Sequence, residues 1–153
     1  MTKGKLVSLS DIFDDGNVSM ITEEDIATSL SGICRYNGYA GTYYSVAEHS
    51  LLLASWVLRS SLSNKKQLAY NALMHDASES ILGDIIGPIK VQLNDFNRLE
   101  SRLTSLLQNK FLYHVDPLTD HLDKRIWVDE KRRFFPLGEP WPWIDPSWKP
   151  LGV

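Results

Sequence analysis

An all-α fold is what the sequence predicts, on three observations. Apolar residues recur at spacings of three and four in successive segments, cap-forming Ser, Thr and Asp residues stand ahead of several of them, and no stretch alternates convincingly enough to be a long strand. With 153 residues and 43% apolar side chains, the chain has material for one core and little left for a second. A single compact domain over residues 1–153 is therefore expected, ending in an irregular tail rich in Pro and Trp.

The first helix is placed behind Thr22, an N-cap with Asp25 three residues on, and carries Ile26, Leu30 and Ile33 on one face before ending between Gly32 and Arg35. Tyr36-Asn37-Gly38-Tyr39-Ala40-Gly41 reads as a loop, because glycine and asparagine accept turn conformations that other residues resist. Arg35 thus sits where helix becomes loop. Ser45-Val46-Ala47-Glu48 reads as a capping box opening a second helix through Leu51 to Leu58, with His49 in its first turns.

A third helix is expected from Lys65 to Leu82, with Leu68, Ala69, Ala72 and Leu73 facing the core, Gly83 as its stop, and His75, Asp76 and Glu79 near its end. Asp84 to Lys90 contains Gly87 and Pro88 and reads as an irregular connection. A fourth helix begins near Asn94 with a stripe of Phe96, Leu99, Leu103, Leu106 and Leu107. The fifth follows the cap pair Asp116-Pro117 and carries Leu122, Asp123 and Ile126. From Phe134 onward the density of Pro and Trp excludes a regular helix.

A net charge of −3 and a pI near 5.8 give none of the basic excess that marks binding to a nucleic-acid polymer. Cys34 is the one cysteine, which rules out an intramolecular disulfide and a thiolate zinc site and favours a reducing, intracellular setting. The N-terminus has no basic stretch leading into an apolar run, and no apolar run reaches the length of a membrane span. A cytoplasmic protein with no membrane partner is expected.

His75-Asp76 offers a neutral imidazole nitrogen beside a hard carboxylate oxygen, two donor types suited to a divalent cation. Alone, the pair is a common accident of sequence. Its setting adds weight: His49 on an earlier apolar helix, Glu79 one turn on, Asp84 past a glycine, and acidic residues on a late helix. Buried His and Asp are costly unless paired or bound to a metal, so one shared cation explains several polar intrusions together.

In order, spacing and flanking residues, Ile33-Cys34-Arg35-Tyr36, Tyr44-Ser45-Val46-Ala47-Glu48-His49-Ser50, His75-Asp76-Ala77-Ser78-Glu79, Gly83-Asp84 and Pro88-Ile89-Lys90 together resemble the HD-domain phosphohydrolases, in particular their short nucleotidase branch. The resemblance covers about residues 24–134 and implies a compact HD-domain helical bundle. It implies one divalent ion (Co, Mn, Zn, Fe or Mg) held by His49, His75, Asp76 and a late aspartate. Asp123 is chosen, because with Glu130 seven residues later and Arg132 beyond, it is similar to the family's late helix. Asp116 is read instead as a helix cap, Asp120 and Asp129 as a solvated face, His121 as a second-best ligand and His114 as a surface residue.

The same resemblance makes Glu79 and Asp84 catalytic carboxylates, with the acid and base roles left open, and gives Arg35 and Lys90 phosphate contacts. Tyr36 is a base- or sugar-stacking candidate, or else a core aromatic. Two relatives fit: bacterial 5'-deoxynucleotidases acting on deoxynucleoside monophosphates, and dATP triphosphohydrolases of phages whose DNA carries 2-aminoadenine. The loop after Ile33 is similar to phage-borne versions and favours a deoxyadenosine nucleotide, with dATP cleaved to deoxyadenosine and triphosphate in the host cytoplasm. The reading from a different class is a nucleotide-binding or interaction module without turnover. A homo-oligomer is expected, with Trp141, Trp143 and Trp148 closing over the core or packing on another subunit.

Overall fold

The computed structural model describes residues 8–14 and 16–153, and every regular element in it is helical. In chain order these are α1 (Leu9–Phe13), α2 (Glu23–Gly32), a 3-10 turn (Arg35–Gly38), α3 (Val46–Arg59), α4 (Lys65–Met74), α5 (Glu79–Leu82), α6 (Gly87–Lys90), α7 (Asn94–Phe111) and α8 (Pro117–Phe134). Among the described residues, β pairing amounts to one isolated antiparallel bridge between Cys34 and Ser45. That bridge clamps the two ends of the loop that carries Arg35.

The starts of α2, α3 and α8 follow their caps. Thr22 Oγ1 accepts from Asp25 N–H at 3.2 Å while the Asp25 carboxylate accepts from Thr22 N–H at 2.9 Å, closing a full capping box on α2. Ser45 caps α3 by accepting from Glu48 N–H at 3.0 Å, but the Glu48 carboxylate turns to Arg133, 3.7 Å away, instead of returning the bond. Asp116 accepts from Thr119 N–H at 2.7 Å with Pro117 as the first helical residue of α8, where a missing N–H costs nothing.

Helices α3 and α4 each feed two apolar clusters. Val46 and Met74 join Ile26, Leu30, Leu103, Leu107 and Tyr113 in one. Leu53, Ala54, Val57, Leu68, Ala69 and Ala72 join Leu122 and Ile126 in the other. The polar side chains described below come from the ends of α3, α4 and α8, where these clusters are knitted together.

Several expectations give way. The expected helix from Lys65 to Leu82 is two: α4 stops at Met74, and the chain tightens into i to i+3 turns, Ala77 N–H to Met74 O and Glu79 N–H to Asp76 O, both 2.9 Å. The imidazole of His75 takes over a carbonyl at the break, Nδ1 lying 2.7 Å from Ala72 O. Gly83 does end α5, at φ 82°, a conformation that glycine alone adopts freely. The connection after Asp84 contains a short helix, α6, because Pro88 lies in the first turn, where proline is tolerated. Leu99 is 42% exposed, outside the buried stripe that Leu103 and Leu107 define. The short α1, unheralded in the sequence pattern, packs Ile12 into the first cluster.

The tail is irregular, as expected, and folds back. Trp56 Nε1 donates to Leu151 O at 2.9 Å, and Arg125 Nε donates to Lys149 O at 2.9 Å. Asp129, expected on a solvated face, instead accepts from Leu151 N–H at 2.6 Å and Gly152 N–H at 2.9 Å. An acidic side chain on α8 thus satisfies backbone donors of a segment that has no ladder of its own.

Candidate metal centre

The start of α3, the end of α4 and the second turn of α8 bring His49, His75, Asp76 and Asp123 close together. His49 Nε2 and His75 Nε2 are 3.3 Å apart. Asp123 Oδ1 lies 3.0 Å from the first and 3.6 Å from the second, and Asp76 Oδ2 lies 3.9 and 3.1 Å from them. His49, His75 and Asp76 have ligand atoms all within 4.8 Å of one another. Asp123 is not part of that tight group of three, although its Oδ1 faces both imidazoles.

The chemistry of the set fits a cation. His49 Nδ1 is 2.6 Å from the Glu130 carboxylate and His75 Nδ1 is 2.7 Å from a carbonyl, so both rings carry their proton on Nδ1. The two Nε2 atoms then face each other beside two carboxylates, a donor set that a divalent cation between them would satisfy. The carboxylates dominate the electrostatics of the cluster. Burial works against charge on both imidazoles, yet Asp76 and Asp123 hold His75 well above the ordinary histidine value. His49 is raised despite burial and Arg35, through Glu130 and Asp123. Against burial, hydrogen bonds and charge from the two imidazoles hold Asp123 well below the ordinary range, and His75 lowers Asp76.

A cleft of about 330 Å³ opens beside the cluster, lined on one side by His75, Asp76, Ser78 and Glu79 and on the other by Lys90, Glu100, Ser101 and Thr104. Its volume lies at the small end of ligand sites. Glu79 is buried with Oε2 unpartnered, and burial, then the charges of Asp76 and Asp84, push its carboxyl well above the usual range. Asp84 is raised as well, by burial and then Asp76, with Arg35 opposing. Lys90 reaches the cleft paired to Glu100, its Nζ 2.6 Å from Oε1.

Arg35 and Tyr36 stand behind the cluster, away from the cleft lining. The Arg35 guanidinium is 3.6 Å from Asp76 and 3.4 Å from Glu130, with Nε buried and unpartnered. Tyr36 adopts a left-handed backbone (φ 58°), its hydroxyl donates to Glu130, and its ring packs on Phe135 and Trp141 with centroids 5.4 and 5.5 Å away. Its ring surface is therefore shared with the tail. Of the other histidines, His121 is exposed with its ring edge toward Trp148, and His114 is exposed, as expected for a surface residue.

Glu130 is the site residue that the sequence reading used only to set the register of Asp123. It is 3% exposed. Burial would raise its pKa, but the charges of Arg35 and His49 and the bonds from His49 and Tyr36 hold it down to about 2. Its signal was present in the spacing, since seven residues are two helical turns and put Glu130 on the face of Asp123.

Against known proteins, residues 39–123 match the HD domain family, from the loop ahead of α3 through Asp123. The chain belongs to the HD domain family. The matched stretch of the HD domain contains His49, His75, Asp76 and Asp123, and Arg35, Tyr36 and Glu130 lie outside it. Two relatives match more than half of the chain. The uncharacterized protein YfdR of Escherichia coli K12 is 37% identical over 99 residues, covering 65% of this chain and 52% of its own length. An uncharacterized protein of Rhodobacter capsulatus is 41% identical over 91 residues, covering 58% and 46%. The chain spans about half the length of these relatives. No solved structure matches it. HD domains are generally metal-dependent hydrolases, and the His-His-Asp cluster fits a divalent-metal site. Among the described residues, no helix is long and apolar enough to cross a membrane.

Proposed function

We propose that the chain is a metal-dependent phosphohydrolase acting on a deoxynucleotide, with dATP the favoured substrate and deoxyadenosine and triphosphate the products. The observation that carries the hydrolase reading is the meeting of His49, His75, Asp76 and Asp123 beside a cleft lined by His75, Asp76, Glu79 and Lys90. A divalent cation held by these four would polarise a phosphoryl oxygen and lower the pKa of a water. The imidazole and carboxylate donors suit Mn, Co, Fe, Zn or Mg alike.

The chain's own groups supply the rest. Glu79, its carboxyl pushed well above the usual range by burial and then by neighbouring carboxylates, is the proton donor to the leaving alkoxide, the group within the cleft best matched to that task. Asp84 orients the water. Lys90 offers a compact positive charge to the phosphate from the opposite wall, and Arg35 places a second one behind Asp76. The deoxyadenosine preference rests on the likeness of the Ile33 to Gly38 loop to phage-borne versions, and a 5'-deoxynucleotidase is the alternative within the same chemistry. A homo-oligomer belongs to the same proposal, supported by Trp143, 45% exposed on the tail, and light scattering that finds only monomer refutes it.

The deciding experiment incubates metal-loaded protein separately with dATP, dAMP and the other deoxynucleotides and identifies products by chromatography. Triphosphate with deoxyadenosine from dATP supports the favoured reading, and phosphate released from monophosphates alone supports the nucleotidase. No turnover with any of the five metals sinks both and leaves a binding module.

A further inference from the structure

Glu130 takes no part in the chemistry above, yet its buried carboxylate is saturated on both oxygens. Oε1 accepts from His49 Nδ1 at 2.6 Å and from the Tyr44 hydroxyl at 2.7 Å. Oε2 accepts from the Tyr36 hydroxyl and from Arg35 Nη2 at 3.4 Å. An ionised carboxylate can only accept, so Nδ1 of His49 carries a proton, and in the neutral ring the Nε2 lone pair is directed at the cluster. Glu130 also sits two turns beyond Asp123 on α8, so one helix presents a donor and the group that aims another donor, on α3.

We infer that Glu130 is a positioning residue: it holds His49 with Nε2 offered to the cation and, through its other oxygen, keeps the Arg35 guanidinium beside Asp76. The inference rests on reading His49, His75, Asp76 and Asp123 as cation donors. Glu130 lies beyond the matched HD stretch, so this contribution belongs to the part of α8 that follows the fourth donor. A carboxylate that merely stabilised the fold by pairing with Arg35 would not need to sit on the ring nitrogen of a ligand. It would also leave cation affinity untouched.

Nitrogen NMR of isotope-labelled histidine in the wild-type protein, with and without zinc, tests the tautomer directly. The expected result is a zinc-shifted His49 Nε2 with its proton retained on Nδ1, and zinc on Nδ1 overturns the inference. If zinc shifts neither His49 nor His75, the metal reading itself falls, a different failure. Calorimetry then compares zinc affinity in Glu130→Gln and Leu107→Ala, the second a buried core change at a residue with no bond to any donor, with helicity checked by circular dichroism. Folded Glu130→Gln should bind zinc about 10- to 100-fold more weakly while Leu107→Ala keeps wild-type affinity. Wild-type affinity in Glu130→Gln, or an equal loss in Leu107→Ala, overturns the positioning role. If Glu130→Gln does not fold, the wild-type spectrum decides.

Discussion

Replacing Glu130 by glutamine should destabilise the fold in a pH-dependent way whose size follows from its surroundings. Its pKa falls from an ordinary 4.5 to about 2 in the folded protein, despite burial, because Arg35, His49 and Tyr36 favour the ionised form. At roughly 1.36 kcal/mol per pKa unit, the charge contributes about 3 kcal/mol at neutral pH. A pKa depressed by folding stabilises fully above the unfolded value and loses its effect as pH falls through the folded one. The wild type should therefore exceed Glu130→Gln by about 3 kcal/mol at pH 7, by about half that near pH 3, and by little near pH 2. For a chain of this size that is a melting-point gap of about 6 to 12 °C at neutral pH. Urea unfolding in a chelating buffer at several pH values measures it, with the chelator keeping metal binding out of the comparison. A gap below about 1 kcal/mol at pH 7, or one that persists unchanged to pH 3, would refute the reasoning.

The remaining predictions concern the site and the tail. His75→Ala or Asp76→Ala should lose metal binding and turnover together, whereas Glu79→Gln should keep the metal and lose about 100- to 10,000-fold in kcat; an active, metal-free Asp76→Ala removes the mechanism. Arg35→Ala should act mainly on KM, and unchanged kinetics would take the guanidinium out of the site. Adding metal to a hundred times its Kd should raise stability by about 2.7 kcal/mol over the chelated protein, about 5 to 11 °C in Tm, and no shift would mean that the folded state holds no cation. Asp129→Ala should speed hydrogen exchange at the amides of Leu151 and Gly152, read by mass spectrometry, with unchanged exchange showing that the carboxylate does not hold the tail.

Local signals made most of the scaffold legible. Thr22 with Asp25, Ser45 ahead of α3, and Asp116-Pro117 ahead of α8 are bonds between neighbours in sequence, so their residue types announce them. The break after Met74 was not legible, because no Gly or Pro marks it and the apolar spacing runs on through Ile81 and Leu82. What ends the helix is the His75 ring bonding to Ala72 O. The donors came from the resemblance, which named residues but not their neighbours. That Asp129 holds backbone from residues 151 and 152, or that Glu130 serves His49 across 81 positions, depends on the packing of distant segments. Lys90 was legible as a loop lysine, but Glu100 across the cleft was not.

Helix α8 is gripped from both sides. At 100° per residue, Asp123 and Glu130 share one face, while Arg125 and Asp129 turn away from it, and each pair is engaged: the first with the two imidazoles, the second with residues 149–152. The tail therefore acts as a splint. It braces the helix that carries Asp123 through backbone bonds to a different face of that helix. A change in the last residues of the chain would then register as looser metal coordination, with every donor still present.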